Sequence, residues 1–180
     1  NNTDIVLVKA DGSGEMTNLT ESGYSDNNAK WVLDGKAMIW SSDRAGYRSH
    51  GSWGAEDDIY IMFFDGEAYD KFRLTKEEQA LLDEDKDEKD KDSKKDKDKD
   101  DDKKDEKADK PVEPLKFDLA NRKDRIMRLT VNSSFLGDAV LTQKGDKLYY
   151  CAAFENGYDL WEHNFKENTT KLLIKGVSGG

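Results

Sequence analysis

Short apolar runs alternate with tight polar turns along this chain, and the alternation is repeated. Leu33 to Gly46 reads LDGKAMIWSSDRAG and is followed by DIYIMFFDG from Asp58 to Gly66. Lys144 to Gly157 reads KGDKLYYCAAFENG and is followed by DLWEHNF from Asp159 to Phe165. Each copy is a turn rich in Asp and Gly, an apolar run, a polar loop and a second apolar run. Gly supplies positive φ and Asp caps the turn, so the pattern predicts antiparallel strands joined by hairpins. Aligning Lys36 with Lys147 and Gly46 with Gly157 sets the copies 111 residues apart. DIVLVK (4–9), ending at Asp11-Gly12, is a further strand and turn, and its phrase returns at Asp58, 54 residues after Asp4. Three short runs end in Leu-Thr, at Leu19-Thr20, Leu74-Thr75 and Leu129-Thr130.

Between Thr20 and Thr75 the pattern is most complete. WVL (31–33) and AMIWSS (37–42) flank Asp34-Gly35-Lys36 as a hairpin, and DIYIMFF (58–64) and KFRLT (71–75) are expected as two more strands. Four short antiparallel strands in roughly fifty residues is the size of a propeller blade. Such a sheet needs neighbours stacked on it to bury its faces. The expected fold is therefore all-β: a partial β-propeller of two to three four-stranded antiparallel blades with a disordered charged insertion. The expected organisation is blade material over 1–82, the insertion over 83–110, and blade material again over 111–180. KEEQALLDE (76–84) predicts two helical turns, since Glu, Gln, Ala and Leu favour helix.

Charge defines the insertion. From Asp83 to Lys110 only Ser93 and Ala108 are uncharged, and the run carries 15 acids and 11 lysines. It has nothing apolar to bury and is expected to be unstructured. Windows such as DKDKDDDKK lack the Gly of a calcium-binding loop, which argues against a metal site. The chain as a whole has a net charge of −10. An acidic surface without a basic stripe excludes nucleic acid as a partner. A single cysteine, Cys151, forbids an internal disulfide. No apolar stretch approaches the length of a membrane span. The chain starts at Asn1 without Met and reads as a piece of a longer protein.

Few residues have the chemistry of a site. The histidines are His50 and His163. His50 sits beside Ser49 and Ser52 in a flexible segment, where a Ser-His pair is ordinary loop chemistry rather than nucleophile and base. His163 is expected exposed, opposite Trp161. Cys151 in KLYYCAAF is expected as a buried structural thiol, and the scattered His and Cys have no zinc-ligand spacing. Asp43-Arg44 is expected to form a turn ion pair, and Trp31, Trp40 and Trp161 to fill space between blades. No catalytic residue, metal or cofactor is expected. The asymmetry between the copies points elsewhere: eleven residues (47–57) separate Gly46 from Asp58, whereas Tyr158 alone separates Gly157 from Asp159. That enlarged loop concentrates Tyr47, Arg48, His50 and Trp53, which are the candidate binding residues. Trp53, between Gly51 and Gly54, is either a plug for a neighbouring blade or a binding contact.

The phrase DGK-apolar-SSDR-x-G, then DIY-apolar-DG, then RLT resembles the propeller repeats of Tol-system periplasmic propellers and tricorn-type serine peptidases. GYRSHGSWGAEDDIYIMFFD (46–65), the charged insertion, KFDLANRKDRIMRLTV and KGDKLYY are more similar to the N-terminal propeller of bacterial tricorn protease homologues. The likeness covers nearly the whole chain outside the charged run. It implies a non-catalytic propeller that guides or filters peptides toward a serine peptidase core carried elsewhere in the parent. The implied partners are peptide substrates and the parent's other domains. The implied compartment is cytoplasmic, with export to the periplasm as the alternative. A stand-alone protein-binding propeller is the competing class. In either case the open ends of a propeller arc invite self-association into a homo-oligomer.

Overall fold

The computed structural model describes residues 2–50, 54–94, 115, 117–155 and 157–177. They form three antiparallel sheets. A hairpin pairs β1 (Val6–Val8) with β2 (Met16–Asn18). Sheet 1 has β3 (Asp26–Val32), β4 (Ala37–Ser42), β5 (Asp58–Phe63) and β6 (Ile126–Arg128) in that order. Sheet 2 has β7 (Phe135–Leu141), β8 (Lys147–Ala153), β9 (Tyr158–Asn164) and β10 (Thr169–Val177) in order. The expected hairpin at Asp34-Gly35-Lys36 forms. Val32 pairs with Ala37, and Leu33, Asp34 and Gly35 all take positive φ, which Gly35 tolerates without a steric penalty. The mostly antiparallel β composition expected from the pattern is what the chain adopts.

The fourth strand of sheet 1 is not the expected one. Lys71–Arg73 of KFRLT end a helix instead: α1 spans Gly66–Arg73, capped by Asp65, whose carboxylate accepts from the Ala68 N–H at 2.9 Å. Glu67 lies in its first turn and Lys71 and Arg73 in its last, matching the helix dipole. The Lys166 ammonium donates to the Leu74 carbonyl at 2.6 Å and closes the other end. Tyr69 and Phe72, three apart, rest on Phe63 with ring centroids 5.5 and 5.2 Å away. Thr75 then opens α2 (Lys76–Lys94) through a capping box, exchanging hydrogen bonds of 2.8 and 3.2 Å with Glu78. Leu74-Thr75 is therefore a junction between helices. The expectation of disorder from Asp83 is corrected over 83–94, where the backbone continues α2. The rest of that expectation, over 95–110, lies outside the described residues.

The strand that completes sheet 1 arrives from beyond the insertion. β6 pairs with β5 through Tyr60–Arg128, Ile61–Met127 and Met62–Ile126. Residues 64–125 are thus a connection between two neighbouring strands, and the division at 82 and 111 falls inside one sheet.

Sheet 2 matches sheet 1 with a correction of one residue. Thr142 and Lys147 flank a four-residue loop as Val32 and Ala37 do, so Gly145 corresponds to Gly35, at a spacing of 110 rather than 111. One residue matters, because it exchanges the two faces of a strand. In the corrected alignment Leu148 and Tyr150 take the places of Met38 and Trp40. The packing follows that order. Ile5 and Leu7 of the hairpin lie on Met38, Trp40, Tyr60 and Met62. The other face of sheet 1, with Ala37, Ile39, Ile59, Ile61 and Phe63, lies on Leu148, Tyr150 and Ala152 of sheet 2. Each layer presents one face to its predecessor and the opposite face to its successor.

A side-chain latch recurs in the hairpin and sheet 1, buried in the second. Asp58, fully buried, accepts from the Thr130 and Ser133 hydroxyls at 2.6 and 2.7 Å and pairs with Arg128 at 2.7 Å. The Thr130 hydroxyl also takes the Ile59 N–H, and the Leu129 N–H reaches the Ile59 carbonyl. Asp4, Leu19 and Thr20 repeat this around Ile5. Two of the three Leu-Thr pairs belong to this latch.

Two expectations, for Trp31 and His163, are adjusted. Trp40 is buried and donates to Asp26 at 3.0 Å, and Trp161 packs between the sheets. Trp31 is half exposed, resting on Phe64 and Phe117, because the two-stranded hairpin does not extend over β3. His163 is buried on the same side as Trp161, since residues two apart share a strand face. Its Nδ1 meets the Thr170 hydroxyl at 2.9 Å, its ring meets Phe165 edge-on, and burial lowers its pKa.

Candidate functional site

The enlarged loop stands at the end of sheet 1 opposite the α1–α2 connection. Ser42 pairs with Asp58 across it, leaving fifteen residues (43–57), whereas the equivalent connection in sheet 2 has six (153–158). The loop is itself laddered: Glu56 donates to the Tyr47 carbonyl at 2.9 Å and Ser49 to the Gly54 carbonyl at 3.1 Å. Gly46 makes this possible, because a Cβ there would lie 1.8 Å from the Glu56 carbonyl oxygen. The loop is also stitched to sheet 2, where Asp57 and Ser134 exchange both backbone hydrogen bonds.

Around its base sits a compact set of charges and rings. Asp43 pairs with Arg48 at 2.9 Å, not with Arg44 as the sequence suggested. Arg44 turns inward to buried Asp26 and lies over the Tyr60 ring at 4.7 Å and Trp40 at 5.5 Å. Burial would raise the Asp26 pKa, but hydrogen bonds from Ser22, Ser42 and Trp40 outweigh it and hold the carboxylate below its ordinary range. Arg48 lies over Tyr24 at 5.1 Å, and Tyr24 and Tyr47 both present exposed rings. An arginine that is half exposed, paired with a carboxylate and stacked on an exposed ring can grip a polypeptide backbone.

Of the four residues singled out in the sequence, Arg48 thus joins Tyr24 at the base of the loop, and Tyr47, its chain neighbour, is exposed. His50 is exposed at the loop tip, and the Ser49 hydroxyl points to the His50 carbonyl at 3.5 Å, which does not arrange them as nucleophile and base. Trp53 lies outside the described residues, so plug and contact remain open for it. Tyr24 is the member that sequence reasoning missed, and it reaches the site only because β3 begins beside the end of β4. Cys151 is half-buried rather than enclosed. Among the described residues no group of three or more His, Cys, Asp or Glu is placed to hold a metal. No helix among them is long and apolar enough to cross a membrane.

Asp57 gives this end a pH response. Burial, followed by the charges of Asp43 and Asp58, pushes its pKa up to about 6. A carboxyl raised in the fold binds its proton more tightly folded than unfolded, so stability falls as pH rises from about 4 to about 6 and is level above that. The full shift corresponds to about 3 kcal/mol, less after solvent screening of a group at a loop margin. Asp57→Asn should therefore be more stable than the parent at pH 7.5 and should flatten the dependence between pH 4 and 6.5, as read by urea denaturation. An unchanged slope would assign the pH response to another group.

At the opposite end a cleft of about 630 Å³ opens between the β3–β4 turn, α1 and the β7–β8 turn. Lys36, Lys71 and Lys144 line it together with Asp34 and Glu67, over an apolar floor that includes Leu33 and Phe72. Nothing in the sequence pattern announced it, because residues 71–75 were expected as a strand. Comparison of the chain with protein-family models finds no match, and comparison with curated proteins finds none.

Proposed function

We propose that this chain is the non-catalytic β-propeller portion of a tricorn-like serine peptidase, guiding or filtering peptides toward a catalytic core carried elsewhere. The observation that carries this reading is the stacking order. Hairpin, sheet 1 and sheet 2 succeed one another with the same face forward, as blades do around a propeller axis. In that arrangement β3 and β7 are the inner strands, joined by Lys30 of β3, which reaches Asp138 and donates to the Ala139 carbonyl at 3.1 Å. The sequence resemblance to tricorn protease homologues supplies the enzyme class and a cytoplasmic setting. Arg48 stacked on Tyr24, with Tyr47 exposed in the same loop, supplies a surface suited to peptide.

A stand-alone binding propeller is the second reading, and the same surface favours it equally. Both expect capture without cleavage. The chain, incubated with an array of unstructured peptides, should retain a subset and hydrolyse none. A Tyr47→Ala/Arg48→Ala double variant should lose at least tenfold in affinity while keeping its fold. Failure of the unaltered chain to retain any peptide would remove the recognition role. Turnover that vanishes in His50→Ala would show catalysis within the fragment.

A further inference from the structure

The cleft at the α1 end of the sheets is walled by three turns and a helix of this chain. Gly145, buried with φ +73°, brings the β7–β8 turn against its floor, where a Cβ would lie 3.1 Å from Leu33 and 3.4 Å from the Phe72 ring. A volume of about 630 Å³ suits a small organic molecule. One ammonium group is built into the wall. Lys166 is half-buried and spends two of its N–H groups on the Phe72 and Leu74 carbonyls, at 3.4 and 2.6 Å, which leaves it a third donor. Burial, and then the charge of Lys71, lowers its pKa, so Lys71 stands close enough to repel it. Lys36, Lys71 and Lys144 take part in no ion pair among the described residues. Three carboxylates of the lining are engaged elsewhere: Asp65 caps α1, Asp83 takes Gln79 at 3.0 Å, and Asp146 takes the Thr142 hydroxyl at 2.6 Å. With Asp34 and Glu67 the lining has five acids against four lysines, a net of −1.

We propose that this cleft binds a small monocarboxylate with an apolar body, its head held by Lys71, Lys144 and Lys166 and its body laid on Leu33 and Phe72. Ammonium groups without a carboxylate partner attract the head, and the floor gives the body an apolar contact. One negative charge fits this lining better than two. A net of −1 opposes a phosphate monoester, which carries nearly two charges at neutral pH. The same head group is offered by a free organic acid and by the C-terminus of a polypeptide. The inference concerns the end of the molecule opposite residues 43–57 and does not rest on peptide recognition there.

Amide chemical shifts of the labelled chain, followed as phenylbutyrate is added to about 10 mM, test it. The Ala68 and Gly145 amides should move together and give a Kd of about 1 mM or tighter. Neutral phenylbutyramide lacks the charge and acetate lacks the body, and each should bind about tenfold more weakly or worse. Phenylpropyl phosphate should bind no better than the acid. Lys71→Gln/Lys144→Gln removes two exposed ammonium groups and should keep the parent's shifts outside the cleft. It should lose most of the preference for acid over amide, a change that a purely structural role of these lysines would not produce. A short peptide with a free C-terminal phenylalanine, set against its amidated form, separates the two sources. Binding of the free form at the same amides identifies a chain end as ligand, and its failure beside a bound phenylbutyrate identifies a free acid. Acid and amide binding alike, a tighter phosphate, an unchanged preference in the double variant, or no shift at Ala68 and Gly145 would overturn the proposal.

Discussion

Replacing Asp58 by Ala should cost the fold about 3–5 kcal/mol, the usual consequence of removing one partner from a buried ionic group. The carboxylate is fully buried and holds Thr130, Ser133 and Arg128 within 2.7 Å. Without it, two hydroxyls lose an acceptor and Arg128 keeps its charge beside a cavity. Asp58→Asn should cost less, because the amide oxygen still accepts. Asp4 occupies the equivalent place in the hairpin, bonded to Asn18, Thr20 and Ser22, but it is exposed and water replaces what a substitution removes. Asp4→Ala should therefore change little. Urea denaturation of the three variants reads the contrast. Equal effects at Asp4 and Asp58 would show that burial does not set the worth of the latch.

Gly46→Ala should be nearly as damaging, at about 2–4 kcal/mol, through overpacking rather than lost bonding. The added methyl would meet the Glu56 carbonyl oxygen at 1.8 Å and its carbon at 2.5 Å, both main-chain atoms that no side-chain rotation can clear. The Tyr47–Glu56 ladder must open to admit it, which also spoils the presentation of Tyr47 and Arg48. Gly66→Ala is the natural control. Its nearest neighbour would be the Arg125 guanidinium at 3.7 Å, and Ala is the better helix former, so stability should hold or rise slightly. A Gly46→Ala protein as stable as the parent would mean that the loop is not laddered in solution.

The strands around Asp-Gly turns were legible in the sequence because hairpin chemistry is local: turn, β-branched run and alternation all lie within a few residues. What was not legible depended on distance or on parity. KFRLT has strand-like residues, but Asp65 as a cap and Tyr69 and Phe72 at helical spacing decided for helix once Phe63 offered a surface. β6 could not be assigned to sheet 1 from sequence, since its partner lies across the whole charged insertion. The one-residue shift between the copies was hidden because DGK and KGD read alike in composition, yet it decides which side of every strand is inside. The same parity put His163 in the core. At the candidate site, Arg48 and Tyr47 were visible as an unusual loop. Tyr24 was not, because only the folding of β3 against β4 brings it there, and Asp43 chose Arg48 over its neighbour Arg44 once Asp26 claimed the latter.

The late arrival of β6 makes the molecule two interlocked pieces rather than two domains in series. Residues up to α2 provide three strands of sheet 1 and an open edge at Tyr60 to Met62, and residues after the insertion provide the strand that fits that edge together with all of sheet 2. Arg125 on the Phe63 carbonyl, Asp118 on the Phe64 carbonyl and Arg122 on the Asn18 and Leu19 carbonyls fasten the second piece to the first. The Asp/Lys run is then a covalent tether that raises the effective concentration of two complementary edges. In engineering terms the chain is a split protein with its seam already drawn, and the seam runs through a β-sheet.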